Sequence, residues 1–328
     1  MIDVFGTLGP SCKDEETLYE MFSLGMTGIR INLSHVMLID CEESIKVIKR
    51  AAERAGISPK MLIDMQGPEL RIGKLDIPVM LEEEDEFILG AAGIDVDNRI
   101  LEAMKTGNEV LLDDGKILAK VVEADSGSAK LKVIRGGQLS GRKSIAIVGV
   151  TVDMPALTDS DIENIRIAAD YNVTGVMQPF VRSADDLKTV REVLDKNGGQ
   201  NIKIYAKIEN KLGVENLESF FDYADEIVIA RGDLGNAVPL WNLPGLQKDI
   251  SSRCNAHKMP FMVVTQMLAS MEHSKVPTRA EVSDIYNAAI DGASSVMVTG
   301  ETAVGEYPVE VIRYMVNTVK AASGYSDK

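Results

Sequence analysis

Short apolar runs recur along the chain, each closed by a turn and followed by a segment with the spacing of an amphipathic helix. Eight stand out: IDVFGTL (2–8), TGIRIN (27–32), KMLIDM (60–65), TGVMQP (174–179), IKIYAK (202–207), EIVIAR (226–231), PFMVVT (260–265) and SSVMVT (294–299). Nearly continuous apolarity over so few residues marks strands buried on both faces, as in a parallel sheet. DEETLYEMFSLG, DSDIENIRIAADY, SADDLKTVREVLDKNGG and RAEVSDIYNAAIDG carry the helical period between such runs. Strand–helix units repeated in this way predict an α/β fold, specifically a (β/α)8 TIM barrel.

The rhythm breaks between the third and fourth runs. There IPVMLEEEDEFILG, EVLLDDGKILAKVVEA and SAKLKVIRGG alternate apolar and polar residues around Asp-Gly and Gly-Gly turns, the pattern of antiparallel hairpins. The expected organisation is a catalytic barrel of residues 1–72 and 151–328, with residues 73–150 inserted after the third strand as a small β-barrel-like lid. A lid of this kind can close over a site and exclude water.

Composition narrows the partners. The chain has 328 residues, 45% of them hydrophobic, enough for a large core. A formal charge of -15 argues against gripping nucleic acid or an anionic membrane through the bulk field, so a small-molecule partner is expected. No stretch approaches the roughly 20 apolar residues of a membrane span, and MIDVFGTLG lacks the pattern of a signal peptide, so a cytoplasmic protein is expected. Cys12, Cys41 and Cys254 form no C-x-x-C motif and read as free thiols; the spacing of His35, His257 and His273 argues against zinc.

In a barrel of this type, the working residues sit at the C-terminal strand ends. Lys207 and Glu209 are two apart on one strand and so share a face. A lone K-x-E is ordinarily a salt bridge of little consequence. Here other strand ends add Arg30, Asn32 and Ser34, Asp64, Arg231 with Gly232 and Asp233, Thr265 with Gln266, and Glu301. Glu209 and Asp233, from adjacent strands, suit a hard divalent cation such as magnesium; a structural hydrogen-bond network is the alternative. A lysine and an arginine beside a metal are what phosphoryl transfer requires, because catalysis there is mostly positioning and charge neutralisation. ARGDLG opens a short helix whose backbone N–H groups could receive a substrate carboxylate.

Taken together and in order, TLGPS, RINLSH, LIDMQGPELR, AKIEN, ARGDLG, TQMLASM, PTRAEVSD and TGETAVGEYP resemble pyruvate kinase. The resemblance runs nearly end to end through the barrel and more weakly through the insertion. It implies transfer of phosphate from phosphoenolpyruvate to ADP or another nucleoside diphosphate, giving pyruvate and ATP in glycolysis, with Mg2+ or Mn2+ and K+. By that resemblance Lys207 stabilises the phosphoryl group in flight, Arg30 contacts it, and Glu209 and Asp233 hold the divalent metal. Asn32, Ser34, Asp64 and the Met65 carbonyl correspond to the potassium site, and Glu69 to the residue of potassium-dependent members. Gly232, Asp233 and Thr265 face the substrate carboxylate, Thr265 and Glu301 belong to the network that delivers a proton, and Arg71, His35 and Lys143 serve the nucleotide. A homo-oligomer, expected as a dimer, is also implied, with PTRAE near its interface.

Two departures qualify the resemblance. The family usually continues past the barrel into a C-terminal effector domain, whereas this sequence stops at Lys328, so the usual effector control is not expected. The nucleotide half is also eroded: Val36 stands for a glycine, Asp40 for an aromatic residue, Gln66 for the lysine of D-x-K-G-P-E, and Ala146 and Val148 for Asn-x-Pro. A valine obstructs close backbone approach, and a lost lysine removes a phosphate contact. Two other readings stay open: a metal-dependent lyase or hydrolase acting on an enolpyruvate or 2-oxo acid without nucleotide, and a non-catalytic phosphoenolpyruvate-binding subunit.

Overall fold

The computed structural model describes residues 2–326 apart from His35, Ala92, Asp114 and Thr151. Each of the eight apolar runs forms a parallel strand: Asp3–Thr7, Gly28–Asn32, Lys60–Asp64, Gly175–Gln178, Lys203–Ile208, Glu226–Ala230, Phe261–Val264 and Ser295–Met297. They pair in sequence order, and the last pairs with the first, closing an eight-stranded barrel ringed by helices. The expected TIM barrel is the observed fold.

Two apolar layers hold it. One lies between strands and outer helices, where Ile29, Ile63, Ile204 and Ile229 meet helix residues such as Leu18, Ile48 and Leu187. The other, contributed by strands alone, gathers Phe5, Leu62, Met177, Tyr205, Val228, Met262 and Met297. A Cβ built on Gly28 would stand 2.2 Å from the Phe5 ring, so the second strand must be bare there for that ring to pack. Helix ends follow local rules. Thr158 and Thr278 form capping boxes with Asp161 and Glu281, and Gly25 and Gly56 close their helices in the left-handed conformation.

The chain divides into two compact units, Met1–Gly67 with Ala156–Lys328, and Pro68–Pro155. The second has its own core, including Leu89, Val110, Leu112, Ala119 and Leu131. Its main sheet is antiparallel and runs Ile145–Ile147, Glu109–Leu112, Ile117–Ala124, Ser128–Arg135, Glu86–Gly90; a separate ribbon pairs Val79–Leu81 with Gly137–Leu139. Ile145–Ile147 and Glu86–Gly90 are the edge strands of the five, and the bridges Arg71–Ser144, Ile72–Val96 and Leu89–Ile94 lie between those edges.

Candidate active site

The charged residues of the second, third and fifth strands converge because of register. Asn32 lies opposite Asp64, Arg30 opposite Leu62, and Lys207 two residues beyond Tyr205, the partner of Met177, which in turn pairs with Asp64. The Arg30 guanidinium donates to Asp64 Oδ2 from Nε at 2.9 Å and Nη2 at 2.6 Å. Lys207 Nζ lies 3.2 Å from both oxygens of the same carboxylate and 3.0 Å from Glu209 Oε1. Arg30 also reaches the hydroxyl of Thr7, which donates to the Val298 carbonyl.

Asp64 and Glu209 are both deeply buried, and their carboxyls move in opposite directions. Burial works to raise Asp64, but Lys207 and Arg30 outweigh it and hold the group below the usual carboxylate range. Burial also opposes the Lys207 ammonium, yet Asp64 and Glu209 leave its pKa raised, so it is a permanent cation. Glu209 is pushed up to about 7, by burial first and then by Asp233 and Asp64, with Lys207 pulling the other way. The Asp233 and Asp64 charges add to that rise, and a bound cation would offset them. Its other oxygen accepts from the Phe180 amide at 2.8 Å.

The sixth and seventh strand ends meet next to this cluster in sequence. Thr265 and Gln266 both have positive φ, 80° and 55°, a costly conformation for a β-branched threonine. Arg231 fixes that turn: Nε and Nη2 donate to the Thr265 carbonyl at 3.1 and 2.7 Å, while Nη1 pairs with Asp284 at 2.7 Å. A Cβ on Gly232 would stand 3.2 Å from Thr265 Cγ2, so the Gly232–Asp233 backbone and Thr265 are immediate neighbours. Arg231 acts here as a brace for Thr265.

Glu301 is buried and fully engaged. Oε1 accepts from the Leu268 amide at 3.1 Å, and Oε2 accepts from the Thr299 amide at 2.7 Å and its hydroxyl at 3.3 Å. These bonds tie together the loops after the last two strands. Asn32 Oδ1 accepts from the Ser34 amide and hydroxyl at 3.2 and 2.9 Å. Arg71 and Lys143 lie in the smaller unit. Arg71 donates twice to Glu69 Oε2 and once to the Arg142 carbonyl, and Lys143 pairs with Asp113 at 2.8 Å. His35 lies outside the described residues.

Residues 1–312 match the family described as "Pyruvate kinase, barrel domain". The chain belongs to the pyruvate kinase family. Similar curated proteins include a pyruvate kinase of Staphylococcus haemolyticus, 34% identical over 98% of this chain and 57% of the relative. A pyruvate kinase of Clostridium perfringens is 34% identical over 98% of this chain and 70% of its own length. One from Sporosarcina psychrophila is 35% identical over 94% and 55%. The chain thus spans little more than half the length of several pyruvate kinases it matches.

Among the described residues, no cluster of three or more histidine, cysteine or acidic side chains is arranged as a metal cage. By donor chemistry, carboxylate oxygens such as those of Glu209 and Asp233 are of the kind magnesium takes, alongside several waters and oxygens of its substrate. Glu209 is raised first by its own burial, with Asp233 and Asp64 adding to the rise against Lys207, so a divalent cation would be a natural counter-charge for its ionised form. Sequence reasoning missed the Phe180 amide and the buried Asp161 behind it. The capping-box spacing of TDSD was the available signal for Asp161.

Proposed function

We propose that the barrel unit transfers phosphate from phosphoenolpyruvate to ADP, or to another nucleoside diphosphate, giving pyruvate and ATP as a step of glycolysis. The observation that carries this reading is the Lys207 ammonium held by Asp64 and Glu209, with Arg30 on the far side of Asp64. Two fixed cations flank one carboxylate. That arrangement suits a phosphoryl group whose charge must be stabilised during transfer, with little covalent work for the protein.

In this reading Arg30 and Lys207 bind and orient the phosphoryl oxygens. Lys207 stays protonated throughout, because its neighbours raise its pKa. Gly232 and Asp233 present backbone N–H groups to the substrate carboxylate, and Thr265, strained and braced by Arg231, supplies a hydroxyl beside them. Glu209 and Asp233 would hold Mg2+ or Mn2+, which supplies Lewis-acid neutralisation of the phosphate oxygens when bound. Asn32, Ser34, Asp64 and the Met65 carbonyl offer hard oxygens of the kind an alkali cation such as K+ takes. Glu301, by fixing the loops after the last two strands, shapes the path by which a proton reaches the enolate.

The nucleotide would be met by Arg71, His35 and Lys143, with Val36, Asp40, Gln66, Ala146 and Val148 altering its fit. A cytoplasmic homo-oligomer is part of the same proposal; among the described residues, no helix is long and apolar enough to cross a membrane. The test is pyruvate release from phosphoenolpyruvate with Mg2+ and K+, measured with ADP, with GDP and without nucleotide. Strict dependence on a nucleoside diphosphate supports the proposal. Release without nucleotide would replace it with a hydrolase, and binding without release with a non-catalytic subunit.

A further inference from the structure

The buried carboxylate of Asp161 joins the two places where the chain leaves and re-enters the barrel unit. On the leaving side, the Gln66 amide donates to Oδ1 at 2.8 Å and the Gly67 amide to Oδ2 at 2.9 Å. On the returning side, the Thr158 amide and hydroxyl donate to Oδ2 at 2.9 and 2.8 Å. Asp161 has no exposure at all, yet its oxygens accept four hydrogen bonds, three of them from backbone N–H groups. A carboxylate satisfied in this way is costly to disturb, because any amide it releases is left unpaired in the interior.

The same junction packs against the end of the fourth barrel strand. Gln178 Nε2 donates to the Ala156 carbonyl at 2.7 Å, holding the returning segment. Gly67, at φ 60°, passes so close to Pro179 that an added Cβ would stand 2.3 Å from its Cγ. The next residue, Phe180, turns with φ 52° and donates its amide to Glu209 Oε2. Asp161, Gly67, Pro179, Phe180 and Glu209 thus form a continuous line of contacts from the capped helix to the acidic site. The Gln66–Gly67 amides that Asp161 holds also follow directly on Asp64 and Met65.

We propose that Asp161 is a positioning residue for the active site: through Gly67 and the Pro179–Phe180 turn it sets the place of the Glu209 carboxylate. The metal-binding part of this inference rests on the functional reading above; the geometric part does not. Asp161 touches neither substrate nor metal. Its effect reaches the site through the Phe180 amide and through the segment that follows Asp64.

The test compares the full chain with Asp161→Asn, which keeps the shape but only one strong acceptor oxygen, and with the milder Thr158→Val. Residue-resolved amide hydrogen exchange is read at Gln66, Gly67 and Phe180, and Mn2+ binding is followed by its EPR signal without substrate. The expected result is faster exchange at all three amides and about tenfold weaker Mn2+ binding in Asp161→Asn, the scale on which groups that orient metal ligands tune affinity. Thr158→Val should fall between that variant and the parent. Faster exchange confined to Gln66 and Gly67, with Phe180 and Mn2+ binding unchanged, would overturn the proposal. If the parent binds no Mn2+, the functional reading fails by itself, and exchange at Phe180 still decides whether Asp161 positions the Glu209 partner.

Discussion

Lys207 Nζ lies 3.2 Å from each oxygen of Asp64, so one buried carboxylate meets the lysine with both of its atoms. Because Arg30 claims Oδ2 as well, Asp64 is shared between two cations that would otherwise repel. The barrel brings all three together from different strands, which an isolated pair on a flexible surface could not do.

Replacing Asp64 by Asn should therefore destabilise the protein, by about 3–5 kcal/mol if the behaviour of other buried pairs holds. Urea unfolding at neutral pH measures it. A loss under about 1 kcal/mol would mean that solvent already screens the pair.

Metal binding should depend on pH in a definite direction. Burial, with Asp233 and Asp64, pushes the Glu209 carboxyl up to about 7, so a proton competes with the cation below that pH. Mn2+ affinity should rise from about pH 6 to about 7.5, approaching tenfold per pH unit at the acid end for a single released proton. Titration calorimetry in buffers of different ionisation enthalpy would also count the proton. Affinity that is flat across this range would show that Glu209 is already ionised.

At the opposite end of the barrel, Glu226 gives a stability prediction. It is buried and accepts from the hydroxyls of Ser294 and Ser295; burial raises its pKa against those hydrogen bonds and the nearby Lys60. A carboxyl raised in the folded state contributes stability below its unfolded pKa and loses it as pH increases through the folded one. Glu226→Gln keeps an acceptor oxygen and removes the charge. The variant should therefore gain stability relative to the parent as pH rises from about 5 to about 8 in paired urea titrations, and a constant difference would contradict this account.

The strained turn after the seventh strand separates stability from function. Thr265→Gly should relieve positive-φ strain of order 1–3 kcal/mol and lose part of that gain to the freer unfolded chain. Its unfolding free energy should not fall, while turnover drops by at least tenfold because the hydroxyl and its aim are gone. A stability loss above about 1 kcal/mol would show that the threonine side chain is needed for packing more than its conformation costs.

The barrel was legible because its strands are buried on both faces and so write themselves as apolar runs; IKIYAK and EIVIAR read directly into adjacent strands. Lys207 and Glu209 were legible for a similar reason, since side-chain alternation fixes their common face. The TDSD spacing signals only the capping role of Asp161; its bonds to Gln66 and Gly67 were not legible, because those partners are backbone amides and an amide carries no sequence signature. The brace from Arg231 to the Thr265 carbonyl escaped for the same reason, although both residues stood out at strand ends. The insertion announced its hairpins by alternation but not the single-residue bridges of Arg71, Ile72 and Leu89 at the sheet edges, which carry no alternating pattern.

Lys207 with Asp64, Glu209 and Arg30 is proposed to move a phosphoryl group. The most direct measurement is pyruvate formation from phosphoenolpyruvate and ADP with Mg2+ and K+, comparing the parent with Lys207→Met and Asp233→Ala, each first shown to be folded by circular dichroism. Nucleotide-dependent turnover by the parent, reduced at least a hundredfold in both variants, is the expected result. Full turnover by a folded Lys207→Met variant, or none by the parent, would contradict it.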